Sequence, residues 1–281
     1  MATSPEVLAS LKEDMALEHG AILQYVIHGV QLRDVAITDK VRETAREEMW
    51  HFEWLAEALR DRGGEPAVDR AGIFLSASMA DSMREDVATE DKALAHFART
   101  LELIGGSDPE LTHLIERIVE DERHHRTTFE RLARDVEAAG EPAYVARPLM
   151  GPEDLAVVGP TIGVEYMTVL QYLLNKFGCG DCEQAEQYFD FAVDEMRHLG
   201  WVATYVPGLV AEPIPPDVPA NRVQPVRSAA EAHKAAVMLE GKAAEFYSAR
   251  IAEAKSVVLI EDLARAAGQH EYHRYRLEKM G

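Results

Sequence analysis

The sequence predicts an all-α protein made of two tandem four-helix bundles packed as a pseudo-dimer. Three observations carry this reading. Apolar residues recur in alternating steps of three and four, which keeps them on one stripe of a helix. Two proline-rich stretches, 140–160 and 207–225, interrupt that periodicity, and landmarks of the first half return in the second. The length agrees, since 281 residues with 47% hydrophobic side chains suit either one large domain or two of ordinary size.

Each helix follows from its stripe. Leu8, Leu11, Met15, Ile22, Tyr25 and Gly29 form the first, and Val41, Ala45, Phe52, Leu55 and Leu59 the second. Met83, Val87, Leu94, Phe97, Leu101 and Ile104 form the third, and Leu111, Ile115, Ile118, Phe129, Leu132 and Val136 the fourth. Four amphipathic helices before residue 140 read as one bundle. In the second half, Glu165 to Tyr172 echoes Glu18 to Tyr25, and Asp194-Glu195-Met196-Arg197-His198 echoes Glu47-Glu48-Met49-Trp50-His51. Glu18 and Glu48 are 30 residues apart, as are Glu165 and Glu195, which points to duplication of a whole bundle. The remaining stripes are His233, Val237, Ala244, Tyr247 and Ile251, then Leu259, Leu263, Ala266 and Leu277. The expected domains are 1–140 and 153–281.

A net charge of −20 argues against nucleic acid as partner and favours a cation or a neutral small molecule. No run of 18 apolar residues occurs and the N-terminus has no basic, apolar leader pattern, so a soluble cytoplasmic protein without membrane contact is expected. Cys179 and Cys182 are the two cysteines. Their CxxC supplies half of a tetrahedral zinc set, and it reads as a plain turn or as a redox or metal-handling pair.

The stripes have gaps, and carboxylates fill them. Glu18 falls between Met15 and Ile22, Glu48 between Ala45 and Phe52, Glu90 between Val87 and Leu94, and Glu122 with His125 between Ile118 and Phe129. His51 lies beside Glu48 on the same face. Four inward carboxylates repel one another and cost several kcal/mol each unless cations neutralise them. No Lys or Arg shares the stripe, so a pair of metal ions with open positions for dioxygen or water is the natural filling. One Glu from each of two helices plus Glu-x-x-His from each of the others is the ligand pattern of ferritin-like di-iron and di-manganese proteins.

These motifs, with Glu48-Met49-Trp50-His51 and Asp121-Glu122-Arg123-His124-His125, make residues 1 to about 138 resemble bacterioferritin, in the ferritin-like di-iron carboxylate superfamily. The resemblance implies Glu18 and Glu90 as terminal ligands, Glu48 and Glu122 as bridges, His51 and His125 as nitrogen ligands, and Tyr25 as a redox-active or hydrogen-bonding phenol. It implies iron, with manganese as the other candidate. It also implies a haem at Met49 and Met196, but methionine is a common core gap-filler and both lie beside expected ligands, which is the stronger reading.

The second half keeps Glu165, Glu195, His198 and Glu240, but the last stripe brings His270 and His273 where the first half has Glu122 and His125. An imidazole replaces a bridging carboxylate. That half is either an altered metal site or a scaffold with a polar core. Two activities fit: oxidation of Fe2+ by O2 or peroxide, as the resemblance implies, or O2-dependent oxidation of a small organic substrate. A metal-binding scaffold is the third reading, and homo-oligomers are expected from the family.

Overall fold

The computed structural model describes residues 3–31, 35–76, 78–140, 150–180, 182–205 and 223–280. They form eight helices: α1 (Pro5–Gln31), α2 (Val35–Asp61), α3 (Met79–Ile104), α4 (Pro109–Ala139), α5 (Pro152–Cys179), α6 (Cys182–Ala203), α7 (Ala229–Glu253) and α8 (Val257–Met280). No strand occurs among the described residues. The chain divides into two compact units, one carrying α1–α4 and the other α5–α8. No helix among the described residues is long and apolar enough to cross a membrane.

In the first unit α1 packs along α2 and α3, and α3 along α4. Leu11, Met15, Tyr25, Val41, Phe52, Leu55, Phe97, Ile115, Ile118 and Phe129 are buried on the facing stripes, as their spacing predicts. The ends are set chemically. Ser78 caps α3 by accepting from the Asp81 amide, and Gly105 ends it at φ 55, a left-handed conformation that suits glycine. Asp108 caps α4 from the Leu111 amide, Pro109 opens its first turn, and Arg62 from beyond α2 grips both Asp108 oxygens.

The long connection from α2 to α3 lies along the α1–α3 groove. The Ala71 amide donates to the Ala16 carbonyl across 2.7 Å, and a Cβ on Gly20 would stand 3.2 Å from Ala71, so glycine permits the approach. Farther along, the Phe74 amide donates to Gln24 Oε1, Gln24 Nε2 donates to Asp86, and the His28 ring spans Asp86 and the Phe74 carbonyl.

The second unit repeats the order, with α5 along α6 and α7, and α7 along α8. Two expectations change here. Residues 152–160, read from their prolines and glycines as connection, open α5, because Pro152 occupies the first turn and Pro160 is carried inside the helix on an exposed position. Of the expected proline-rich stretches 140–160 and 207–225, residues 141–149 and 207–222 lie outside the described residues. The stripe of α7 is displaced by one residue: Val237 is 42% exposed, whereas Ala232, Ala236, Glu240, Ala243 and Tyr247 are buried. Alanines line this face, so the few larger apolar residues misplace it. At the α7–α8 turn, buried Asp154 accepts from the amides of Lys255 and Ser256.

Candidate metal centres

In the first unit six predicted residues converge from four helices. Glu18, Glu48, His51, Glu90, Glu122 and His125 are each about 1% exposed. They form two groups of donor atoms, Glu18, Glu48, His51 and Glu122, and Glu48, Glu90, Glu122 and His125, each with its atoms within 4.8 Å of one another. Glu48 and Glu122 belong to both groups. His51 Nδ1 lies 2.9 Å from Glu48 and 2.9 Å from Glu122, and His125 Nδ1 lies 3.0 Å from Glu48.

The outer nitrogens point the other way. His51 Nε2 faces Asp121 at 3.4 Å and His125 Nε2 faces Glu47 at 2.6 Å. A carboxylate on the outer nitrogen fixes the ring so that Nδ1 points inward. Tyr25, wholly buried against Phe129, donates to Glu90 Oε1 across 2.6 Å.

The electrostatics follow from four carboxylates facing two imidazoles. Burial, with neighbouring Glu48 and Glu18, pushes Glu122 up to about 8. Burial also raises Glu18 and Glu90 well above the usual carboxylate range. For Glu48 burial is outweighed by His125 and His51, and its carboxyl is held well below that range. The rings shift in return: against the effect of burial, Glu48 and its neighbours bring His125 up to about 9, and Asp121 and the inward carboxylates raise His51 well above the usual imidazole range. Both oxygens of Glu18, one each of Glu48 and Glu122, and His125 Nδ1 are buried without a hydrogen-bond partner. Orphaned donors of this kind, four carboxylates with two imidazoles, fit a pair of divalent ions such as iron or manganese.

The second unit brings Glu165, Glu195, His198, Glu240, His270 and His273 together, again as two groups: Glu165, Glu195, His198 and His270, and Glu195, Glu240, His270 and His273. The shared members are now Glu195 and His270. Three imidazoles face three carboxylates, and the balance of shifts changes accordingly. Against burial, His198 and His270 hold Glu165 at about 2, and His270 and His273 hold Glu240 low, while burial keeps Glu195 raised. His198 Nε2 bonds to Gln269, and His273 Nε2 faces Asp194 at 3.3 Å, so the outer partners recur. So does the aromatic cover. Trp54 packs on His51 under Arg117, and Trp201 packs on His198 under Arg265.

Two phenols serve the second cluster. Tyr172, the counterpart of Tyr25, donates to Glu240, and Tyr247 donates to Glu165. Sequence reasoning places Tyr247 only among the core residues and passes over Glu47, Asp121, Asp194 and Gln269. A signal for all four is present, because Glu47, Asp121, Asp194 and Gln269 each directly precede an expected ligand. Met49 and Met196 are buried, at 7% and 4% exposure. Cys179 is buried at the end of α5 with Sγ 3.6 Å from Gln184 Oε1, and the Cys182 side chain lies outside the described residues.

Residues 8–139 match the family model described as a ferritin-like domain. The chain is similar to the bacterioferritin of Desulfovibrio desulfuricans, 27% identical over 147 residues that span 50% of this chain and 82% of that protein. It is also similar to a 3-demethoxyubiquinol 3-hydroxylase of Paracidovorax citrulli, 32% identical over 126 residues, 41% of this chain and 58% of the hydroxylase, which is less than two thirds of that protein. An X-ray structure of the Desulfovibrio desulfuricans bacterioferritin, whose subject is its diiron site, aligns with a TM-score of 0.46 at 26% identity over 48% of this chain and 82% of that one.

Proposed function

Residues 8–139 belong to the ferritin-like family, and from that premise we propose that the first bundle, within residues 1–140, binds two iron ions and oxidises Fe2+ with O2 or peroxide. The ligands are Glu18, Glu48, His51, Glu90, Glu122 and His125. The observation that carries the reading is that Glu48 and Glu122 belong to both donor groups, as bridges between two ions must. The bundle within 153–281 is the altered copy, with Glu165, Glu195, His198, Glu240, His270 and His273 as its candidate ligands.

Two adjacent redox metal ions supply the paired electron transfer that reduction of O2 takes. The chain's own residues prepare the place. Asp121 and Glu47 hold the outer nitrogens of His51 and His125 and leave Nδ1 of each turned inward. Tyr25 donates to one oxygen of Glu90 and so fixes the orientation of that carboxylate. Burial of all six side chains keeps bulk water away, which strengthens every charge interaction among them.

The test is anaerobic Fe2+ titration followed by O2, read with an oxygen electrode and by stopped-flow absorbance. Two Fe2+ are oxidised rapidly per chain. Glu48→Ala abolishes the rapid phase, and Glu195→Ala leaves most of it. A crippled Glu195→Ala with a tolerated Glu48→Ala would overturn the assignment. The hydroxylase relative favours a second reading, oxidation of a small organic substrate at the same site. Under it O2 consumption stops after one cycle unless a reductant and an organic substrate are present, and no ferric iron accumulates beyond the site.

A further inference from the structure

His270 differs from every other histidine in the two clusters. His51, His125, His198 and His273 each turn Nε2 outward to a carboxylate or amide. His270 turns both nitrogens inward. Its Nδ1 lies 2.9 Å from Glu240 Oε2, whereas its Nε2 stands 3.6 Å from Glu165 and 3.5 Å from Glu195, too far for a good hydrogen bond. The other four rings can donate from Nε2 to their outer acceptors and present Nδ1 to an ion; a neutral His270 has its nearest acceptor at Glu240, so it donates from Nδ1 and presents the Nε2 lone pair. A neutral imidazole has one such pair, so His270 ligates one ion, where the carboxylate of Glu122 offers an oxygen to each of two.

The carboxylates sort themselves the same way. Glu240 accepts from Tyr172 on one oxygen and from His270 on the other. Glu165 accepts from Tyr247 on Oε1 and has Oε2 buried without a partner, and Glu195 Oε1 and His270 Nε2 are likewise buried and unpartnered. Each of these three residues is at most 1% exposed.

We propose that the second bundle holds one divalent ion of the Zn2+ class, on Glu165, Glu195, Nδ1 of His198 and Nε2 of His270, with Glu240 acting as the outer partner that orients His270. Two carboxylates and two imidazoles close a four-coordinate shell, the arrangement that suits Zn2+ and Co2+ better than the oxygen-richer set of the first bundle does. A ligating histidine that donates its other N–H to a carboxylate is the usual support for such an ion. His273 Nδ1 is also buried without a partner, 3.1 Å from Glu195 Oε1, but with His270 Nδ1 given to Glu240 and the other Glu240 oxygen given to Tyr172 the second donor group is left too few free donors for an ion of its own.

The reading of the first bundle as a two-metal site supplies only the contrast. The decisive measurement removes that site: Co2+ is titrated into the metal-free full-length chain carrying Glu48→Ala and Glu122→Ala, followed by visible absorption and by calorimetry. One equivalent binds with the intense bands of tetrahedral Co2+. Glu240→Gln, whose amide oxygen still accepts from Nδ1, keeps that equivalent, His270→Ala loses it, and His270→Glu raises the capacity to two. In the chain with its first site intact, His270→Ala lowers total Co2+ by one equivalent, which reads the same ion without disturbing the first bundle. Zero or two equivalents in the second bundle, loss of Co2+ with Glu240→Gln in protein of unchanged circular dichroism, or a capacity that stays at one in His270→Glu overturns the proposal. Failure of the intact first bundle to take two ions would count against the proposed function alone.

Discussion

Tyr25 on α1 donates its phenolic proton to Oε1 of Glu90 on α3 across 2.6 Å, with both side chains sealed from solvent. The bond joins two neighbouring helices at the level of the candidate metal centre. Removing it leaves a buried carboxylate one donor short, a loss worth about 1–3 kcal/mol. Tyr25→Phe therefore destabilises the metal-free protein by that amount, read from the shift of its urea midpoint. It leaves metal stoichiometry unchanged and slows O2 consumption, so an unaltered oxidation rate would confine Tyr25 to a structural role.

Glu47 and Asp121 orient the rings of His125 and His51 from outside the ligand set. Glu47→Gln and Asp121→Ala are each expected to weaken Fe2+ binding to the first bundle by roughly 10–100-fold without changing the number of ions bound. Anaerobic calorimetry reads both quantities. Unchanged affinity in both variants would show that the helices alone hold the rings.

The metal-free protein should lose stability as pH rises. Glu122 is held at about 8 in the fold against an ordinary value of 4.5, because burial and the neighbouring Glu48 and Glu18 disfavour its charge. His125 is held at about 9 against 6.5, because Glu48 outweighs burial. Both groups bind more protons folded than unfolded over those intervals, so stability falls between about pH 5 and pH 9. In chelator the melting temperature drops across this range, and saturating metal flattens the dependence. A metal-free melting temperature that rises toward pH 9 would contradict both assignments.

Two caps carry measurable weight. Asp108→Ala removes the α4 cap together with both Arg62 contacts and is expected to cost about 1–2 kcal/mol. Asp154→Ala strands the amides of Lys255 and Ser256, at about 1–3 kcal/mol. Denaturant unfolding measures both, and Asp108→Asn separates cap from ion pair, since the amide oxygen still caps α4.

Much of the fold and of the first centre is legible in the sequence because helical periodicity exposes its own exceptions. Glu18, Glu48 and Glu122 stand out as charges on apolar stripes, and the repeat transfers the pattern to Glu165 and Glu195. The stripe logic weakens where alanine replaces larger residues. On α7 it chooses Val237, whereas Ala236 and Ala243 flank Glu240 on the buried face. It also discards residues one step off the stripe, about 100° around the helix, and so it misses Glu47, Asp121 and Asp194. Tyr247 falls correctly in the core, but a hydroxyl aimed at Glu165 from another helix is a tertiary fact with no local signal.

The connection between α2 and α3 is clasped to the helices it crosses. Gln24 meets the Phe74 amide with its side-chain oxygen and reaches Asp86 and Thr89 with its nitrogen, so one amide reads the connection and α3 together. In the second unit Gln171 bonds both the amide and the carbonyl of Gln224, as a neighbouring strand would. Such a clasp closes only after the helices on both sides are in register. The crossover is thus tied to the register of the helices beneath it, and solvent exchange of the Ala71 and Phe74 amide protons is expected to report its local opening.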